Sequence, residues 1–99
     1  MNERTTLFLM ANLGVEMQRL FSYDIHDTKS VQASAIRAKH IVNQIMLKDE
    51  IKNRYMEIEK IYDVISDYTD RKYLEVTKEE IENYFALFIT RNISLHAIL

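Results

Sequence analysis

A central stretch without Gly or Pro decides the fold: residues 30–67, SVQASAIRAKHIVNQIMLKDEIKNRYMEIEKIYDVISD. Apolar side chains recur there at alternating steps of three and four residues, the spacing of one face of an α-helix. The positions are Val31, Ala35, Ala38, Val42 and Ile45 in the first half, and Ile51, Tyr55, Ile58, Tyr62 and Ile65 in the second. The pattern predicts helix in both halves.

The two halves are out of phase, because the step from Ile45 to Ile51 is one residue too short. Either one helix continues and presents a second face, or the helix breaks near Leu47–Glu50. A tight turn usually contains Gly, Pro or Asn, and residues 46–50 have none. We therefore predict one long central helix over about 30–67, roughly 55 Å long at 1.5 Å per residue, with the break as the alternative.

The first helix is predicted from about Thr5 to Tyr23. Its apolar seam is Leu7, Met10, Gly14, Met17 and Phe21. Gly in a helix interior costs about 1 kcal/mol relative to Ala, so Gly14 indicates either close approach by a neighbouring helix or simple tolerance. Asp27, Thr28 or Ser30 is expected to cap the helix that follows.

The last helix is predicted over about 77–97, after a linker at 67–76. Thr77 and Glu80 have the spacing of a capping box, and Val76 and Ile81 that of a hydrophobic staple. The expected core face is Ile81, Phe85, Phe88 and Ile89.

Composition agrees with an all-α fold. The chain has 99 residues, of which 47% are hydrophobic and 28% charged, with one Gly, no Pro and no Cys. Hairpins usually need Gly or Pro, and disulfides need Cys. We predict a single domain over residues 1–99, a small bundle of three to four amphipathic helices. No signal-peptide or membrane-spanning pattern is visible, so we expect a cytoplasmic protein without membrane contact.

The C-terminal run is apolar nearly all round, which is typical of a helix buried on several sides. A short chain supplies few neighbours for such a helix, so we expect a partner, most simply a second copy. A longer parent protein and a monomer with a thick core are the alternatives. The predicted interface residues are Phe85, Phe88, Ile89 and Leu95.

Residues 28–48 contain no acidic residue. A stripe within them, Arg37, His40, Gln44 and Lys48, could contact a polyanion or an acidic partner. The alternative is a solvated helix face. Acidic partners within the chain would be Glu75, Glu79, Glu80 and Glu82. A net charge of −2 does not favour nucleic acid as the main partner.

Sites for metals and cofactors are not predicted. Asp24, His26 and Asp27 share one turn, but a metal would need a further ligand from elsewhere. The chain has no Gly-rich phosphate loop and no nucleophile elbow.

The segment RNISLH, residues 91–96, resembles the Arg-Asn-x-x-x-His signature of HEPN-type ribonucleases, small helical bundles that act as dimers. The resemblance covers six residues. It implies that His96 would accept the proton of the RNA 2′-hydroxyl, Arg91 would stabilise the charged phosphorane, and Asn92 would orient them. Positions five apart on a straight helix differ by about 140°, so convergence requires the helix to end near Asn92. Alternatively, Arg91 and His96 complement the negative end of the helix dipole.

The sequence favours a non-enzymatic helical adaptor or regulatory protein that binds other proteins, as a homodimer. The runner-up is a HEPN-like, metal-independent endoribonuclease that uses Arg91 and His96. Weak nucleic-acid binding through the basic stripe comes third. No cofactor is expected for the leading function.

Overall fold

The computed structural model describes residues 5–24, 26–70 and 76–98, with side chains as far as residue 90. Four α-helices and one 3₁₀ helix occupy them, and no strand occurs among these residues. They are α1 (Thr6–Ser22), α2 (Thr28–Met46), the 3₁₀ helix (Asp49–Arg54), α3 (Tyr55–Thr69) and α4 (Lys78–Ile98). The predicted all-α bundle is confirmed.

Helices α1 and α2 begin at capping side chains. The Phe8 N–H donates to the Thr5 hydroxyl oxygen at 3.1 Å. The Ser30 N–H donates to an Asp27 carboxylate oxygen at 3.3 Å, so Asp27 is the cap among the three candidates. Each cap satisfies a backbone donor that the first helical turn leaves free.

The predicted capping box of α4 is formed. The Glu80 N–H donates to the Thr77 hydroxyl at 3.0 Å, and the Thr77 N–H donates to the Glu80 carboxylate at 3.2 Å. Val76 packs against the core as a partly buried side chain, and Ile81 is buried. The capping box and these two apolar side chains together determine where α4 starts.

The prediction of one long central helix was wrong. Helix α2 ends at Met46, and Lys48 has an extended backbone conformation (φ −83°, ψ 128°) before the 3₁₀ helix begins. On a continuous helix a six-residue step would place Ile45 and Ile51 about 120° apart around the axis, so they would face different directions. With the break, Ile45 and Ile51 are both buried.

Helix α1 lies at the centre of the packing. Close backbone contacts between described helices join α1 to α2 and α4, and α2 to α3. The largest fully buried side chains of α1 are Leu9, Leu13, Met17 and Leu20. Helices α3 and α4 are not among the closely packed pairs, so the bundle has an open edge between them.

Gly14 lies where α4 crosses α1. A Cβ atom added at Gly14 would lie 2.7 Å from Phe85 Cβ and 3.1 Å from Ile89 Cδ1, closer than van der Waals contact allows. The close approach predicted from this glycine is confirmed. Phe85 occupies the space that the missing side chain leaves and is 1% exposed.

Candidate functional site

The open edge of the bundle forms a groove of about 190 Å³. We call it the α3–α4 groove. Its lining residues are Glu57, Lys60, Ile61, Val64, Val76, Glu80, Ile81 and Tyr84. Ile61, Val64 and Ile81 are buried and form an apolar floor, whereas the three charged residues are exposed at the rim. An apolar floor with a charged rim is the arrangement of a binding surface.

Aromatic contacts close one end of this open edge. The Phe21 ring of α1 meets the Tyr68 ring of α3 edge-on, with the centroids 5.0 Å apart. The Lys78 ammonium lies 5.7 Å from the Phe21 centroid and 5.3 Å from the Tyr68 centroid. The start of α4 is thereby held near α3, while the groove stays open further along both helices.

Tyr84 has a buried hydroxyl in the wall of the groove. Within the described residues the hydroxyl oxygen has no hydrogen-bond partner in bonding geometry, although the Glu57 carboxylate interacts with it electrostatically. Burial first, and Glu57 second, raise the pKa of Tyr84 well above its usual value, while the Arg54 guanidinium acts in the opposite direction. The phenol therefore keeps its proton to a higher pH than an ordinary tyrosine.

We expect the stability of the protein to fall as the pH rises above about 10, partly because of Tyr84. The unfolded chain loses this phenolic proton near the usual pKa, whereas the folded chain retains it, so alkaline pH favours unfolding. Urea titrations across this range should show a smaller fall for Tyr84→Phe. Tyr55→Phe, which alters an exposed ring, is the matched control. Equal falls in the wild type and Tyr84→Phe would contradict the assignment.

A second, acidic depression of about 380 Å³ adjoins the groove across α3. Its lining residues are Met56, Glu59, Lys60, Asp63, Val64 and Asp67. Lys60 and Val64 line both cavities, so the two form one continuous surface. This combined surface carries five carboxylates and one ammonium group, and Met56 on it is 83% exposed.

The predicted basic stripe is not a row of free cations. The Arg37 Nε–H donates to a Glu16 carboxylate oxygen at 3.0 Å, so the guanidinium of this stripe is already paired within the chain. His40 is exposed, whereas Gln44 and Lys48 are partly buried. Of the internal acids proposed to meet the stripe, Glu79, Glu80 and Glu82 are exposed on α4, and Glu75 lies outside the described residues.

The sequence patterns did not indicate Glu16 as a site residue. It is 5% exposed and accepts hydrogen bonds from the Ser34 hydroxyl at 2.8 Å, from Arg37, and from the Arg19 guanidinium at 3.3 Å. This cluster joins α1 to α2. Glu16 is the only acid between residues 5 and 23, and this isolation in an apolar helix is the signal that could have found it.

The predicted interface residues divide into three groups. Phe85 is covered by α1 of its own chain and belongs to the core. Phe88 and Ile89 are partly buried against that core. The side chain of Leu95 lies outside the described part of the chain. The exposed apolar side chain of α4 is instead Leu87, which is 63% exposed.

The ribonuclease-like signature lies within α4, whose backbone stays helical to Ile98. Convergence of positions 91 and 96 required the helix to end near Asn92, and it does not. The side chains of Arg91, Asn92 and His96 lie outside the described residues. The catalytic assignment of these three residues therefore stays a prediction.

The acidic turn before α2 has structural hydrogen bonds. An Asp24 carboxylate oxygen accepts from the His26 N–H at 2.8 Å, and Asp27 caps α2. No group of three or more His, Asp or Glu residues that could hold a metal occurs in the described ranges. Within the same ranges, no helix is sufficiently long and apolar to cross a membrane.

Comparison with known proteins returns no match to any protein family, curated protein or solved structure. The functional argument therefore starts from the α3–α4 groove and the surfaces around it.

Proposed function

We propose that the chain is a cytoplasmic, non-enzymatic helical adaptor or regulatory protein that binds other proteins and itself, as a homodimer. The observation that carries the proposal is the α3–α4 groove, an apolar floor left open where α3 and α4 do not pack closely. Amphipathic helices commonly bind in grooves of this kind.

The lining of the groove supports a protein ligand. The groove has about 190 Å³, is open to solvent and continues across α3 into the acidic depression. Its apolar floor of Ile61, Val64 and Ile81 under a charged rim suits the apolar face of a helix laid across it.

Apolar side chains elsewhere on the surface support the same proposal. Large hydrophobic residues that are exposed in the described part are Val15, Ile36, Leu47, Tyr55, Met56 and Leu87. Ile36, Leu47, Met56 and Leu87 are each more than 60% exposed. Single exposed apolar residues are ordinary, but four this exposed on so small a chain give it several surfaces for association.

The buried polar groups have a structural use. Glu16 and Ser34 bond to each other, and Arg37 and Arg19 complete the pairing of the carboxylate. A catalytic carboxylate or hydroxyl would need access to a substrate, whereas both of these are enclosed between α1 and α2. This arrangement gives Glu16 and Ser34 a structural use, the joining of α1 to α2.

We expect purified protein at tens of micromolar to have about twice the chain mass of 11.8 kDa. Size exclusion with light scattering measures this mass directly, and dilution should return the chain mass. Far-ultraviolet circular dichroism on the same fractions checks that the helices are intact. A folded protein that keeps the single-chain mass at every concentration would refute the homodimer.

A further inference from the structure

We propose that the outer face of α2 from a second copy of this chain occupies the α3–α4 groove. This inference rests on the proposed homodimer and names the two surfaces that meet in it. Both surfaces lie in the described part of the chain. Each is exposed to solvent in its own chain, and the two differ in charge.

Helix α2 has a second seam on its solvent side. Exposed residues recur there at steps of three and four: Ala33, Ile36, His40, Asn43 and Leu47. Ile36 is 69% exposed, and Leu47, the C-cap residue of α2, is 85% exposed. We call these five residues the outer seam of α2. Such spacing is typical of a helix that packs against another helix.

The outer seam is distinct from the side of α2 that enters the core. Val31, Ala35, Ala38, Val42 and Ile45 form that buried side. The step from Val31 to Ile36 is five residues, or about 140° around the axis, so the two apolar sides face different directions. A helix with two apolar sides can pack one side against its own core and the other against a partner.

Charge favours contact between the outer seam and the groove. Residues 28–48 contain no acid and four basic residues, Lys29, Arg37, Lys39 and Lys48. Arg37 is paired with Glu16 and Lys39 lies over the Tyr62 ring of its own chain, so the charge that α2 offers to a partner comes mainly from Lys29 and Lys48. The groove and its adjoining depression carry Glu57, Glu59, Asp63, Asp67 and Glu80 against Lys60 alone. Opposite charge draws unlike surfaces together, and like charge opposes a pairing of two grooves or of two α2 helices. The occupant of the groove is therefore α2.

The apolar parts of the two surfaces also complement each other. Ile36 is an exposed branched side chain of the outer seam, and the groove offers an apolar floor of Ile61, Val64 and Ile81. Exposed Met56 extends the apolar surface along α3.

Charge reversal of each surface tests the pairing. One variant carries Glu59→Lys and Asp63→Lys in the acidic depression, and the other carries Ile36→Glu and His40→Glu on the outer seam. The first variant removes the net negative charge of the groove surface, and the second makes the outer seam acidic. Either change abolishes the attraction between the two surfaces, so the dissociation constant should rise at least about tenfold. Mixing the two variants should restore association, because the acidic seam of one then meets the added lysines of the other. Glu82→Lys, an exposed change outside the groove, should leave the mass unchanged.

The outcomes separate this inference from the homodimer itself. A wild-type dimer unaffected by both double variants, or two monomeric variants that fail to associate on mixing, would overturn the pairing and leave the homodimer standing. Leu87→Lys gives the rival interface. If that change alone dissociates the dimer, the contact lies on the outer side of α4. A wild-type monomer would overturn both proposals.

Discussion

Replacing Phe85 by alanine is expected to lower the free energy of unfolding by about 3–5 kcal/mol. The ring is 1% exposed, and its Cβ lies against the backbone of α1 at Gly14. The surrounding helices have little room to collapse into the space, since their spacing is already set by this contact. Urea denaturation followed by circular dichroism measures the loss. It would take a large share of the 5–15 kcal/mol that stabilises an ordinary domain.

Phe88→Ala is the matched control. It removes the same ring from the same helix, but Phe88 is only partly buried against the core. We expect a clearly smaller loss, because less apolar surface returns to water. If Phe88→Ala proved as destabilising as Phe85→Ala, the core would not be centred on the crossing of α1 and α4.

Replacing Glu16 by alanine is expected to cost about 2–3 kcal/mol in the free energy of unfolding. The change leaves the buried Ser34 hydroxyl with only a backbone oxygen of Glu16 at 3.5 Å. It also removes the partner of Arg37 and Arg19, but these side chains are about half exposed and water can solvate them, which limits the loss. Thermal and urea unfolding measure the effect.

Arg19→Ala provides the comparison for Glu16. This side chain is 53% exposed, and its contact with Glu16 is 3.3 Å, so its removal should cost less than about 1 kcal/mol. Glu16→Gln should fall between the two, because the amide oxygen can still accept from Ser34. A Glu16→Ala loss no larger than that of Arg19→Ala would show that the buried cluster does not join α1 to α2 energetically.

Local signals predicted the helix ends well. The capping box at Thr77 and Glu80, the cap at Asp27 and the glycine at the α1–α4 crossing were all visible in the sequence, because each depends on residues a few positions apart or on one unusual residue. The break after Met46 was given only as the alternative to one long helix. It lacks turn residues and arises from tertiary packing, which buries Ile45 and Ile51 together.

The candidate site could not be predicted from local sequence signals. Sequence patterns identify an apolar face but not the surface that covers it. Phe85 was therefore named both for the core face and for the interface, and α1 covers it. Likewise, Glu16 and Arg37 are 21 residues apart in the chain, and their pairing requires α1 and α2 to lie side by side. The α3–α4 groove exists because two helices do not pack closely, a property of the assembled bundle.

The crossing of α1 and α4 also bears on the order in which the domain can be completed during synthesis. Helix α1 leaves the ribosome first, yet the helix that covers Gly14 comes last among the four. Until α4 emerges, only α2 and α3 can shield the apolar side chains of α1. A nascent chain stopped before residue 78 would thus display an uncovered face, the kind of surface that chaperones bind and that aggregates.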